Sequence, residues 1–575
     1  MTSLITQPQL LASAAADASS IGSALDQARS AAAASTTNVV AAAEDEISSV
    51  TAQLFGAYGQ EYQALLQQAT TFHEDFVAAL SAAGSAYTQA EAEIASSLGL
   101  TGAATTNPVF AAVTQAKDPT VDAILIMTGS GTATPSTAYL NSVYNLYLTN
   151  FNTLPTTVLT AVSTAEGLYP YTGVKDLVLN ISLARDVTEL DNAIVSVLGP
   201  APSAKVVSVL GYSQSAIAAS MEMPKLLAEG YNSSNAYFTL LGDPSNPNGG
   251  LISRFPGLDL PSLGITFGFA TPSNDFPTTI YTLEYDGFAD FPRYPIDFLA
   301  DLNALAGIVF IHGTYPHLTN AIVATAIPLA QSGAPSMTTY NIIPTENLPL
   351  LTPLRAIPFI GNPLADLVQP DLKALINWGY GDPNYGWSTS PADVPTPFGF
   401  LPPLSATTEL GPLLVSGTQQ GIQAFASDLS TMVPPSLPNL SLSSLTNLLG
   451  SGASTGGAPV ALPSLTGIIS GIETANTNIV GTLTTDVSTA YATLLPTADI
   501  TTAVVVSIPS YDVNLFLNGI TEAINGDPVQ GLIDAFGDPI SADVGLVTLA
   551  GGFEALTFVN AAETIFTGVP NPGPN

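Results

Sequence analysis

The chain has 575 residues, 46% of them hydrophobic and only 10% charged, which is long enough for roughly two to four domains and ample for a large core. Its formal net charge is −35, so phosphate backbones and anionic membrane surfaces are repelled and nucleic acid is excluded as a partner. There is no cysteine, which excludes disulfides, thiol catalysis, Fe–S clusters and cysteine-based zinc sites.

Residues 1–100 are Ala-, Ser- and Gln-rich, and Pro8 is the sole proline before Pro108. Pro8 fits the first turn of a helix running to about Ala34, and Ser35–Asn38 reads as a turn and N-cap. A second helix then runs to about Ser97, with Leu54, Tyr58, Tyr62, Leu65, Phe72 and Phe76 at helical spacing. Two antiparallel helices bury one seam, so this all-α hairpin wants a partner helix pair. No basic segment of a secretory signal opens the chain, since the first Lys or Arg is Arg29; export is expected to need another route. No apolar run is pure enough and long enough to be expected to span a bilayer.

Over residues 105–400 the pattern becomes α/β. Strands are expected at Ala123–Met127, Lys205–Leu210, Ala236–Leu241 and Thr278–Tyr285. Near-continuous apolar strands separated by helical spacers imply a parallel sheet, with functional groups just past the strands' carboxyl ends. Residues 401–575 form a low-charge tail, expected to be weakly helical or partly disordered, in which no Lys or Arg occurs. Its Ser451–Gly457 stretch has the composition of a linker.

The second strand runs into Gly211-Tyr212-Ser213-Gln214-Ser215 and then a helix of small residues. That is a nucleophile elbow: small residues either side let the turn hold Ser213 in a strained conformation. The Gln214 N–H then sits at a helix N-terminus, suited to an oxyanion; an ordinary tight strand–helix turn would look alike. Serine needs a base, and the chain has three histidines. His73 falls in the N-terminal hairpin. His312 and His317 follow Ser213, as the Ser…Asp…His order of this chemistry requires, and His312 is preferred. Asp286, at the end of the fourth strand, is the first choice of orienting acid, ahead of Asp290 and Asp243, all of which could equally make turns. The Thr128–Thr132 loop, through Ser130, is the expected second oxyanion donor. Its glycines match no phosphate-binding motif, and no metal or cofactor site is expected.

Several of these segments resemble a known family. Residues 1–100, with Phe72-His73-Glu74 and Tyr87-Thr88-Gln89-Ala90-Glu91, are similar to the PE domain of mycobacterial PE proteins, Tyr87 and Glu91 fitting the YxxxD/E export signal of type VII secretion. Residues 105–400 resemble the PE-PPE domain, a cutinase-like α/β-hydrolase, through Gly211–Ser215, Tyr285–Pro292, His312–Tyr315 and Asp382–Trp387. The resemblance implies pairing with a PPE-type protein, a type VII secretion chaperone, and export to the cell wall or surface. It also implies an esterase or lipase acting on short- to medium-chain acyl esters or lipids. Acyl transfer to a sugar, or a non-catalytic envelope or host-interaction role, are the alternatives.

Overall fold

The computed structural model describes residues 119–174, 176–431, 488 and 492–567. The predicted N-terminal hairpin, with His73, Tyr87 and Glu91, lies outside them. The described residues all fall within the unit Val113–Asn575.

Its strands are β1 (Thr120–Ile126), β2 (Asn152–Ala161), β3 (Val207–Tyr212), β4 (Ala236–Leu241), β5 (Asp259–Leu260), β6 (Ile265–Thr266), β7 (Thr278–Leu283), β8 (Ile327–Pro328) and β9 (Thr338–Ile343). Seven make one sheet in the order β2-β1-β3-β4-β7-β9-β8, and β5 and β6 form a small separate ribbon. All neighbours in the main sheet are parallel except the edge pair β8–β9. The direction of winding reverses between β1 and β3, and ligands of open α/β sheets bind in the crevice at such a switch point. The four expected strands are present. β2 and β9 escaped sequence reading because Thr and Asn interrupt their apolar pattern, and Pro155 places β2 at an edge.

The alternation within β1 feeds two cores. Ala123, Leu125 and Met127 face the layer built by helices α1 (Leu179–Leu198) and α2 (Gln214–Ala228). Ile124 and Ile126 face the opposite layer, with Leu140, Val143 and Tyr147. Both faces are covered, which is why the strand reads as a continuous apolar run. Helix α1 presents Leu190, Ile194 and Leu198 at four-residue spacing to the sheet. Helix α3 (Phe298–Phe310) starts where the Asp297 carboxylate accepts the Leu299 and Ala300 N–H groups, and it ends beside His312.

Ser451–Gly457 lies outside the described residues of the tail. Among the described residues the tail contributes α4 (Leu404–Thr431), α5 (Leu494–Thr502), α6 (Ile508–Asn525) and α7 (Pro528–Thr567). Ile500, Ile508, Tyr511, Ala542, Leu546 and Leu549 bury themselves in one cluster with Tyr169, Leu251, Phe255 and Phe288 of the α/β body. The Tyr169 hydroxyl donates to Asp499 (2.7 Å) and the Tyr511 hydroxyl to the Pro256 carbonyl (3.2 Å). The expectation that no segment could span a bilayer is revised: Leu494–Asn525 and Pro528–Ala562 are long and apolar enough, each with mean hydropathy 1.4 in its best window. Scattered polar residues break up the apolar runs while leaving the average high. Only 22% and 28% of those windows is buried, although both helices contribute residues to the buried cluster.

Candidate active site

Strand β3 ends in the elbow. Ser213 has φ 57° and ψ −119°, a conformation rarely adopted by residues other than glycine and one that costs roughly 1–3 kcal/mol. The turn is tight enough that a Cβ at Gly211 would lie 2.6 Å from the Ser215 carbonyl oxygen. Ser215 stands where such elbows usually carry a second glycine, and it closes the turn itself: its hydroxyl accepts from the Tyr212 N–H (2.9 Å) and donates to the Tyr212 carbonyl (3.1 Å).

The structure brings Ser213, His312 and Asp286 together. The Ser213 hydroxyl is 2.7 Å from His312 Nε2, and His312 Nδ1 is 2.8 Å from both carboxylate oxygens of Asp286. All three are buried. Asp286 sits just past β7, where it also accepts from the Phe288 N–H (3.1 Å) and the Tyr315 hydroxyl (2.8 Å). Tyr315 in turn accepts from the Leu283 N–H at 2.8 Å, tying the acid to its own strand. Rings hold the imidazole in place: Tyr212 stacks on it at 5.4 Å and Phe288 meets it edge-on at 4.8 Å. The Tyr212 hydroxyl donates to the His312 carbonyl (2.6 Å).

The other candidates have different surroundings. Asp290 accepts from the Tyr285 N–H (3.0 Å) inside the same turn. Asp243 accepts from the Ser245 N–H and from the Ser245 and Thr271 hydroxyls. His317 is exposed at the end of the short helix that begins at His312. Asp290 and Asp243 thus serve turns, as aspartate commonly does.

Ser130 and Gln214 also meet, and their side chains belong to a network that sequence reading missed. The Ser130 hydroxyl donates to Gln214 Oε1 (2.9 Å), and Gln214 Nε2 donates to Ser182 Oγ and Asp186 Oδ2, both at 2.7 Å. Asp186 accepts further from the Ala165 N–H (2.6 Å). Burial raises its pKa, opposed by these hydrogen bonds. Burial also holds the Glu166 carboxyl well above the usual range, reinforced by the neighbouring Asp186. Asp186 lies on a helix far from any motif, so no sequence signal marked it. The loop approaches the elbow closely: a Cβ at Gly129 would lie 2.9 Å from the Ser213 Cβ. Gln214 is the first residue of α2, so its backbone N–H has no partner within the helix.

Two cavities open at Ser213. One has a mixed lining, with Thr128, Thr132 and Ser142 beside Leu168, Phe288, Ile308 and Val309, and with His312 and His317. The other is almost entirely apolar.

A mostly parallel sheet that places a serine elbow, a histidine and an aspartate beyond its carboxyl edge is an α/β-hydrolase-type fold. Sequence comparison agrees and narrows it. Residues 155–381 match the PE-PPE domain and residues 4–94 match the PE family. The chain belongs to the mycobacterial PE family and carries a PE-PPE domain. It is 46% identical over 443 residues to the uncharacterized PPE family protein PPE28 of Mycobacterium tuberculosis, covering 77% of this chain and 66% of that protein. It is 41% identical over 419 residues to Esterase PE16 of the same organism, covering 72% of this chain and 75% of that protein. A solved cutinase-like protein from Cryptococcus aligns at 14% identity and a TM-score of 0.18, over 30% of this chain and 79% of its own.

Proposed function

We propose that the protein is a serine esterase or lipase that cleaves acyl esters through an acyl-enzyme. The observation that carries this reading is the unbroken Ser213–His312–Asp286 hydrogen-bond chain on a strained elbow. The name and similarity of Esterase PE16 support it.

In the proposed reaction Ser213 Oγ attacks the ester carbonyl while His312 Nε2 takes its proton. Asp286 holds the imidazole with Nδ1 protonated and stabilises the imidazolium. The backbone N–H groups of Ser130 and Gln214 stabilise the oxyanion. His312 then protonates the departing alcohol, and water repeats the sequence to release the acid. Since the Ser130 hydroxyl proton is committed to Gln214, the backbone N–H is the donor assigned to the oxyanion. Substituting Ser213→Ala should abolish turnover of p-nitrophenyl butyrate while leaving the circular dichroism spectrum unchanged; retained turnover would contradict the assignment.

Membership of the PE family supports a role for the N-terminal segment in pairing with a PPE-type protein, recognition by a type VII secretion chaperone and export to the cell wall or surface. Under this reading Tyr87→Ala, in the Tyr87/Glu91 signal, should retain the protein inside the cell. Normal secretion of that variant would count against it.

A further inference from the structure

We infer that the C-terminal helices are the outer wall of an acyl-binding chamber, and that the chamber takes a single hydrocarbon chain whose carboxyl end lies at Ser213. This rests on the esterase reading for the orientation of the chain, though not for its binding. The apolar cavity that opens at Ser213 has a volume of about 120 Å³. One side is the α/β body, with Ile217, Ile252 and Phe267. The other side is supplied by residues 494–567, through Ile500, Ile508, Leu546, Leu549, Ala550 and Phe553. These residues lie beyond the segment matched to the PE-PPE domain, which ends at 381.

The distribution of polarity sets the ligand's class and direction. Ser130, Ser213 and Gln214 sit together at the reactive end. Beyond them the lining is aliphatic and aromatic, and the Tyr169 hydroxyl is already committed to Asp499. A sugar or peptide there would lose its hydrogen bonds to water without replacement. A hydrocarbon chain gains with each methylene it buries. The tail also reaches the reactive residues themselves. Phe553 packs against Phe288 at 6.3 Å and Tyr171 at 5.9 Å, and Phe288 packs against the His312 ring. Residues more than two hundred positions downstream of His312 therefore complete the pocket that its chemistry would use.

The test uses the full chain and two readouts: kcat/KM on p-nitrophenyl esters from acetate to laurate, and binding of cis-parinaric acid to the Ser213→Ala protein. Ala550→Trp should lower the laurate-to-acetate ratio of kcat/KM at least tenfold and weaken parinarate binding at least tenfold. Ile524→Ser, at a position 79% exposed, should alter neither readout. If Ala550→Trp leaves both within twofold, the chamber assignment is overturned. Should that variant fail to fold, Leu546→Ala is read instead: widening the wall should move the preferred acyl length by two carbons or more, and an unmoved preference overturns the assignment. Parinarate binding without turnover of any ester would support the chamber and contradict the esterase reading. Ester turnover with a flat length profile and no parinarate binding would contradict the chamber alone.

Discussion

Ser213 shows how one residue's role depends on neighbours distant in sequence. The elbow was legible because Gly211 and Ser215 bracket the serine and a strand and helix flank it. The base was narrowed by scarcity: with three histidines in the chain, only His312 and His317 follow the serine. The acid stayed open between Asp286, Asp290 and Asp243, because aspartate at a strand end reads the same whether it caps a turn or faces an imidazole. Geometry separates them: Asp286 meets His312 Nδ1, while Asp290 meets the Tyr285 N–H. Asp286→Asn should therefore reduce kcat by about 10⁴-fold with the melting temperature little changed. Asp290→Ala should leave kcat near its parent value below the melting temperature and lower that temperature, since it removes a buried turn contact. Equal losses of kcat in the two variants would contradict these roles. Gly129→Ala addresses the oxyanion loop: by crowding the Ser213 Cβ it should displace the loop and cost about 10²–10³ in kcat, the loss typical of a missing oxyanion donor.

Among the secondary-structure elements, central strands were readable and edges were not. β1, β3, β4 and β7 are covered on both faces, so burial forces a near-continuous apolar run that stands out in sequence. β2 and β9 lie nearer the sheet's edges and carry Thr, Asn and Pro, which dilute that signal. The described helices of the tail carry a weak sequence signal for a related reason: they bury one stripe and expose the other, and small and polar residues blur the period. Their docking makes a prediction about cooperativity. Ala542 is fully buried in the cluster shared by α7 and the body, so Ala542→Leu should overpack it and cost about 1–3 kcal/mol. Differential scanning calorimetry should then show the main unfolding transition itself move down. A main transition that stays put while a minor one shifts would mean that the tail unfolds independently.

For the whole molecule, the strong acidity shapes behaviour with pH. Burial pushes the pKa of Asp297, Asp512 and Asp538 up to about 7 and that of Glu222 up to about 8, with neighbouring carboxylates adding to the rise for Asp512 and Asp538. In the unfolded chain such groups titrate near 4. Between about pH 4 and pH 8 the folded protein therefore holds protons that the unfolded chain has released, and stability falls as pH rises through that window. Self-repulsion from the net charge of −35 acts in the same direction. The melting temperature should be higher at pH 5.5 than at pH 8, and the reverse order would contradict the raised pKa values. In the proposed function Ser213 is a nucleophile activated by His312. The most direct test of that role is labelling of the folded full-length protein with a fluorophosphonate, read by peptide mass spectrometry. The prediction is one adduct, on Ser213, that disappears in Ser213→Ala and is strongly reduced in His312→Ala. A folded protein that stays unlabelled, or that carries the adduct on another residue, would contradict it.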